Sequence, residues 1–312
     1  MSQRIEYPHT VAVTGMARSG TTMMATLLDA HPDIAMCYDV MPPIVETPLP
    51  EVIREFEETI AGFDRTALED VNAKETYDVL REALKATPLK SVHWAVTVCR
   101  ASGLSVYDLL DALKDAAEDS MERIATNDDR LSVGRRLIEL KLARSPGKSL
   151  PGLKFVMDPE VPQRVLHRPK FVIIIRDPRG FASSHMRLKW ETDASRLAKR
   201  WNSLSGRIRH MITSDVYDTY CLRFEDIITD PVPIVADLNR FLGVREDDFV
   251  TDFSTRSSVF KVRDAFNSSM QKFWDGELSS SRIDAWKDIV SRREQRTIVE
   301  SCADNMEFFG YR

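Results

Sequence analysis

No C-x-x-C pair occurs in this chain: Cys37, Cys99, Cys221 and Cys302 lie far apart, so neither a zinc knuckle nor a disulfide framework is indicated. Basic excess is absent too. The formal net charge is -5, with 29% charged residues of mixed sign, which argues against a nucleic-acid partner. Long apolar runs are missing. FVIII at 171–175 meets Arg176 at once, and MSQRIEYPHT places charges and a proline before a first apolar run too short for a signal core or a membrane span. The expectation is a soluble, cytoplasmic protein without a membrane partner. Internal repeats and low-complexity tracts are also lacking, and with 43% hydrophobic residues the 312-residue chain can bury a substantial core as one domain.

What is present begins with TVAVT at 10–14, followed by GMARSGTTMM at 15–24. The pattern predicts strand, glycine loop and helix. Such a turn offers backbone N–H groups and the positive end of a helix to an anion. Gly15, Ser19, Gly20, Thr21 and Thr22 suit it. One residue is conspicuously missing: an ATP-cradling loop carries lysine where Thr21 stands, and Arg18 sits inside the loop instead. A second strand, KFVIII at 170–175, runs into RDPRGFASS, with Arg176 and Ser184 eight residues apart. A third strand is predicted at YCLRF (220–224). It leads to a helix over VPIVADLNRFLG with Asp230 as N-cap and Gly243 beyond its end. Residues 50–145 carry helical spacing in EVIREFEETIAGF, DVNAKETYDVLREALKA, VYDLLDALKDAAEDSMERIA and GRRLIELKLA. Residues 252–282 lack a sustained period and predict a long surface loop, while RIDAWKDIV and RREQRTIVESCADNMEFFG predict two closing helices. Two arginine-bearing strand ends, and no acid at the second to hold magnesium, suggest a nucleotide phosphorylated at two positions and gripped by cations. The plainer alternative for Arg176 is a surface ion pair with Asp177 or Asp226.

These stretches resemble sulfotransferases that use 3′-phosphoadenosine 5′-phosphosulfate (PAPS). GMARSGTT is similar to their 5′-phosphosulfate loop, VIIIRDPRGFASS to their 3′-phosphate motif, and LRFEDIITDPVPIVADLNRFLGV to a third stretch usual in the family. SSSRIDAW at 279–286 resembles the tail that closes over the nucleotide and brings in Arg282. The first motif is closest to tyrosylprotein, carbohydrate-type and bacterial members. The resemblance implies an α/β, P-loop-like three-layer fold, with a central parallel sheet flanked by helices and a large helical insertion between the first and later strands. It implies a single domain over 1–312, with an acceptor-binding insertion at about 45–150 and a lid-like loop at about 252–282. The implied activity is transfer of the sulfuryl group of PAPS, in line and without a metal, to a hydroxyl of a small-molecule acceptor such as a carbohydrate, lipid or secondary metabolite. Cofactor-binding residues would be Gly15, Arg18, Ser19, Gly20, Thr21, Thr22, Arg176, Ser184 and Arg282, and Arg18 would also serve the leaving phosphate. Asp39 falls where the tyrosylprotein branch has its glutamate base, and Lys154 of GLK where the family has a sulfuryl-stabilising lysine. His93 in SVHWAV is the alternative base, since imidazole titrates in the right range; His31 is read as structural, and His185 is set aside. Trp190, Trp201 and Phe260 are the aromatic options for adenine. Competing readings are a P-loop nucleotide kinase or phosphotransferase with a degenerate lysine, and a non-catalytic nucleotide-binding protein.

Overall fold

The computed structural model describes residues 8–40, 48–85, 92–117, 127–156, 160–265, 273 and 275–312. Five parallel strands form one sheet in the order β2-β3-β1-β4-β5. They are β1 (Thr10–Gly15), β2 (Ile34–Tyr38), β3 (Leu150–Lys154), β4 (Pro169–Ile175) and β5 (Asp218–Arg223). Strands β1 to β3 are wholly buried. This is why their residues do not alternate between apolar and polar: both faces of a parallel sheet are covered. Ala12, Cys37, Leu153 and Ile173 point into one core, while Val11, Met36, Val172 and Ile174 point into the other. Helices therefore pack on both faces, giving the expected three layers.

The second core lies under α1 (Thr21–Ala30), α11 (Phe224–Thr229) and α12 (Pro231–Leu242). The first lies under α2 (Leu49–Ile60), α4 (Lys74–Lys85), α5 (Val92–Ala101), α6 (Val106–Ala117) and α7 (Asn127–Ala143), with a short α3 (Arg65–Glu69) between α2 and α4. Also on that side are α9 (Pro178–Arg187) and α10 (Ala194–Thr213); the short α8 (Glu160–Val165) precedes β4. The helical insertion thus lies between β2 and β3. Strands β2 and β3 and helix α5 were not anticipated.

Two further expectations change. RIDAWKDIV forms no α-helix; it makes 3-10 turns at Ser280–Arg282 and Ala285–Asp288. The predicted long loop is partly regular, with α13 (Phe253–Arg256) and a 3-10 stretch at Ser258–Ala265; its residues 266–272 and 274 lie outside the described ones. The last helix, α14 (Arg292–Phe308), begins with a full capping box between Ser291 and Glu294.

Asp29, fully buried on α1, ties the layers together. Its carboxylate accepts from the Met36 amide of β2, the Ser257 hydroxyl, and both the amide and hydroxyl of Ser258. Lys141 of α7 and Lys148 stand 3.7 and 3.4 Å away. Burial pushes this carboxyl up, but the two lysines and the serine bonds prevail and hold it at about 2.

A candidate anion cleft at the carboxyl edge of the sheet

All five strands point their carboxyl ends at one edge, where ligands gather in open α/β sheets. After β1 the chain must turn tightly beside β4. Gly15 adopts φ 145°, and a Cβ there would lie 2.3 Å from the Ile174 carbonyl oxygen of β4. Gly20, the N-cap of α1, adopts φ 99°, and its Cβ would strike the Phe224 ring at 2.6 Å. Both glycines are sterically required. Ser19 is wholly buried and turns inward: its hydroxyl bonds the carbonyls of Met16 and Ile174, and its amide donates to Met16. Thr21 and Thr22, at the first turn of α1, line the cleft instead, where the first amides of a helix have no intrahelical acceptor.

The ends of β1 and β4 meet. Arg176 donates from one terminal nitrogen to the Arg18 carbonyl at 3.1 Å and from the other to the Arg282 carbonyl at 2.8 Å. Arg18 reaches the other way, its Nε donating to the Ser184 hydroxyl at 3.2 Å. Arg18, Arg176, Ser184 and Arg282, predicted from separate motifs, thus line one cleft of about 740 Å³, open mouth included, together with Gly20, Thr21 and Thr22. The ion pairs offered as the plainer reading go elsewhere: Asp177 holds Arg179, and Asp226 holds Arg223.

Arg176 is 94% buried by its 6% exposure, lies 4.5 Å from the centre of the Phe224 ring, and its Nε has no hydrogen-bond partner. Burial lowers its guanidinium to about 10; Glu225 opposes the shift, and Arg18 and Arg187 add to it. Arg18 is likewise pushed down, first by burial and then by Arg187 and Arg282. Both remain cations at neutral pH. Crowded arginines and an orphaned buried donor give this cleft, which Glu277 also lines, donors of the kind that suit an anion.

Arg187, Phe224, Ile228 and Phe273 also line the cleft and were not singled out from sequence. Helical spacing carried the first signal, because Arg187 lies one turn beyond Ser184 on α9. Ile228 lies one turn beyond Phe224 in the same way. Phe273 had no local signal; it stacks on Phe253 at 5.0 Å, and Phe260 joins the same cluster. Trp201 is fully buried and donates its indole N–H to the Arg176 carbonyl, which fixes the strand end and leaves no face for a base. Trp190 stands exposed near Arg18, with 5.6 Å between guanidinium and ring.

Asp39 and Lys154 come together at the same edge. Tyr38 and Lys154 are register partners across β2 and β3, the Asp39 amide donates to the Lys154 carbonyl, and the Lys154 ammonium lies 2.5 Å from the Asp39 carboxylate. Asp39 takes φ 52° to do this. Lys154 is also register partner of Val13 in β1, so the pair flanks the glycine loop on the side away from Arg176. Neither residue lines the arginine cleft. His93 is half-buried in the first turn of α5 and near Glu82 of α4, whose carboxyl is held low mainly by Lys85 and in small part by His93.

Residues 8–248 match the model of the sulfotransferase family. Over 100% of its length the chain superposes on 98% of the sulfotransferase domain from the Synechococcus PCC 7002 olefin synthase, with a TM-score of 0.56 and 15% identity. It superposes similarly on the sulfotransferase domain from the curacin biosynthetic pathway, with 98% and 99% of the two chains covered, TM-score 0.55 and 13% identity. No curated protein sequence matches it significantly. Among the described residues no helix is long and apolar enough to cross a membrane.

Proposed function

The chain belongs to the sulfotransferase family, and from that premise we propose that PAPS is its donor and a hydroxyl of a small molecule (carbohydrate, lipid or secondary metabolite) its acceptor. One observation carries the reading: the arginines of two strand ends, Arg18 and Arg176, touch in one cleft that also holds Ser184 and Arg282. Two anion-binding centres so joined suit a nucleotide phosphorylated at both ends of its ribose. The buried, unpartnered Nε of Arg176 fits such a ligand as well. When bound, PAPS would supply the sulfuryl group and a phosphate as leaving group.

The chain's own residues then have distinct tasks. Arg18 and the first amides of α1 hold the 5′ end and stabilise charge gathering there. Arg176 and Ser184 hold the 3′-phosphate, and Arg282 of the tail covers it. Asp39 receives the proton of the acceptor hydroxyl, oriented for this by the ammonium of Lys154; Lys154 also neutralises charge on the group in transfer. Helices α2 to α7 form the acceptor side of a single domain, and the described parts of the segment 252–282 its lid. The absence of disulfides among the four cysteines suits a reducing, cytoplasmic setting.

Titration calorimetry with PAPS, its product adenosine 3′,5′-bisphosphate, and ATP with magnesium tests the donor. The bisphosphate should bind and ATP should not, and transfer from labelled PAPS to a panel of hydroxylated metabolites should proceed unchanged in EDTA. Tight magnesium-dependent ATP binding instead would overturn PAPS as the donor.

A further inference from the structure

Beside Arg176, and not among the residues that line the cleft, stands an acid that the donor chemistry does not use. Glu225, the second residue of α11, is largely buried. One of its carboxylate oxygens accepts the Asp177 amide at 3.1 Å, and the other accepts the Tyr311 hydroxyl at 2.9 Å. Asp177 immediately follows Arg176 and caps α9, its carboxylate taking the Arg179 amide and the Arg179 guanidinium. Arg179 in turn donates to the Arg312 carbonyl, and Arg223 donates to the Gly310 carbonyl. The turn that follows β4 is thus held at the Asp177 amide by one carboxylate, and that carboxylate by the hydroxyl of Tyr311, which is 8% exposed.

We propose that Glu225, held by Tyr311, is a positioning residue for the anion site: by accepting the Asp177 amide it fixes the turn that aims Arg176 at one phosphate of the ligand. Geometry is the first support. No other described acceptor takes the Asp177 amide, and the turn from strand to helix spans only Arg176 and Asp177 between β4 and α9. Electrostatics is the second. Arg176 is buried beside Arg18 and Arg187, and Glu225 is the strongest opposite charge acting on it. Without that charge, and without the bond that fixes the next residue, the Arg18 and Arg282 carbonyls alone would hold the guanidinium against its crowded cationic neighbours. Burial raises the Glu225 carboxyl, and the Asp177, Tyr311 and Arg176 contacts pull it back. Glu225 need not touch the ligand for any of this.

The inference rests on the proposed assignment of Arg176 to a 3′-phosphate, and the test separates the two. Equilibrium binding of adenosine 3′,5′-bisphosphate and of adenosine 5′-phosphate is measured for each protein, and the ratio of the two affinities is the readout. Wild-type protein that does not prefer the bisphosphate overturns the phosphate assignment itself. Given a wild-type preference, Glu225→Ala should reduce it at least about tenfold, because a buried amide loses its acceptor, while binding of the 5′-phosphate changes less than about threefold. Glu225→Gln retains a carbonyl for the Asp177 amide but loses the charge beside Arg176, so its preference should fall between those of Glu225→Ala and the wild type. Tyr311→Phe, which removes one hydroxyl and leaves the packing, should lower the ratio by a few fold; it serves if Glu225→Ala does not fold. A general loss of structure would weaken both nucleotides alike. If the ratio stays at its wild-type value in Glu225→Ala, or in Tyr311→Phe when that variant alone folds, Glu225 does not position Arg176.

Discussion

At the residue scale, two side chains separate binding from chemistry. Arg18 meets both halves of the cleft through its carbonyl and its Nε. Arg18→Ala should therefore weaken nucleotide binding and lower turnover by roughly 10²- to 10³-fold, the cost of removing one preorganised donor from a developing charge. Asp39 lies outside the arginine cleft, so Asp39→Ala should lower turnover at saturating acceptor by at least about 10²-fold while the affinity for adenosine 3′,5′-bisphosphate stays within about twofold. Steady-state rates beside calorimetry on the same samples check both, and full turnover in Asp39→Ala removes the proposed base. Much of this site was legible because its parts are local: a glycine turn needs glycines, and an arginine ending an apolar strand declares itself. Ser19 was less legible. A hydroxyl in an anion loop reads as a donor to ligand, yet Ser19 stitches the loop to β4, and only the approach of Ile174 from 155 residues away decides between the two. Glu225 was invisible for the same reason, since its partners come from β4 and from the last residues of the chain.

Among the elements, β1 and β4 could be read because β-branched runs ended by glycine or charge admit few alternatives, and β5 because the short apolar run Tyr220 to Leu222 ends at Arg223 before a helical pattern. Strand β3 could not. Its Pro151 and Gly152 are the residues that ordinarily mark a turn, and they lie in a strand only because β1 and β2 flank it on both sides. Helix α5 carries β-branched Val92, Val96, Thr97 and Val98, which blur a helical pattern; packing against α4 and α6 overrides that propensity. The segment after α12 looked like a free loop because its anchor is remote: Ser257 and Ser258 bond Asp29 on α1. Asp29→Asn keeps the shape of the side chain but leaves the buried Lys141 and the half-buried Lys148 without their counter-charge. It should cost about 3–5 kcal/mol in denaturant unfolding and should speed proteolysis within residues 252–265 before the rest of the chain is cut. Unchanged cleavage there, in a variant that is destabilised overall, would show that Asp29 supports the core and not the segment.

For the whole molecule, the buried titratable groups predict a stability that falls in two steps as the solution is acidified. His31 is wholly buried, and its neutral form is dictated by its bonds: Nδ1 accepts the Asp33 amide while Nε2–H donates to the Arg245 carbonyl. His185 donates from Nδ1 to the Phe181 carbonyl and lies near Arg200, Arg18 and Arg176. Burial lowers both imidazoles below 6.5, so the unfolded chain takes up these protons first. Stability must therefore drop as pH falls below about 6.5, where the unfolded histidines begin to take up protons that the folded ones resist. Asp29 adds a second step at lower pH. Its folded carboxyl stays ionised to about 2 while the unfolded one protonates near 3.8, so a contribution of about 2–3 kcal/mol, present above pH 4, is lost between pH 4 and 2. Thermal unfolding midpoints should be level from pH 7 to 8, fall by several degrees between pH 7 and 5, and fall again below pH 4. His31→Gln, though less stable at pH 7, should show a shallower first step. Equal midpoints at pH 5 and 7.5 in the unaltered protein would mean that neither histidine is held neutral by the fold.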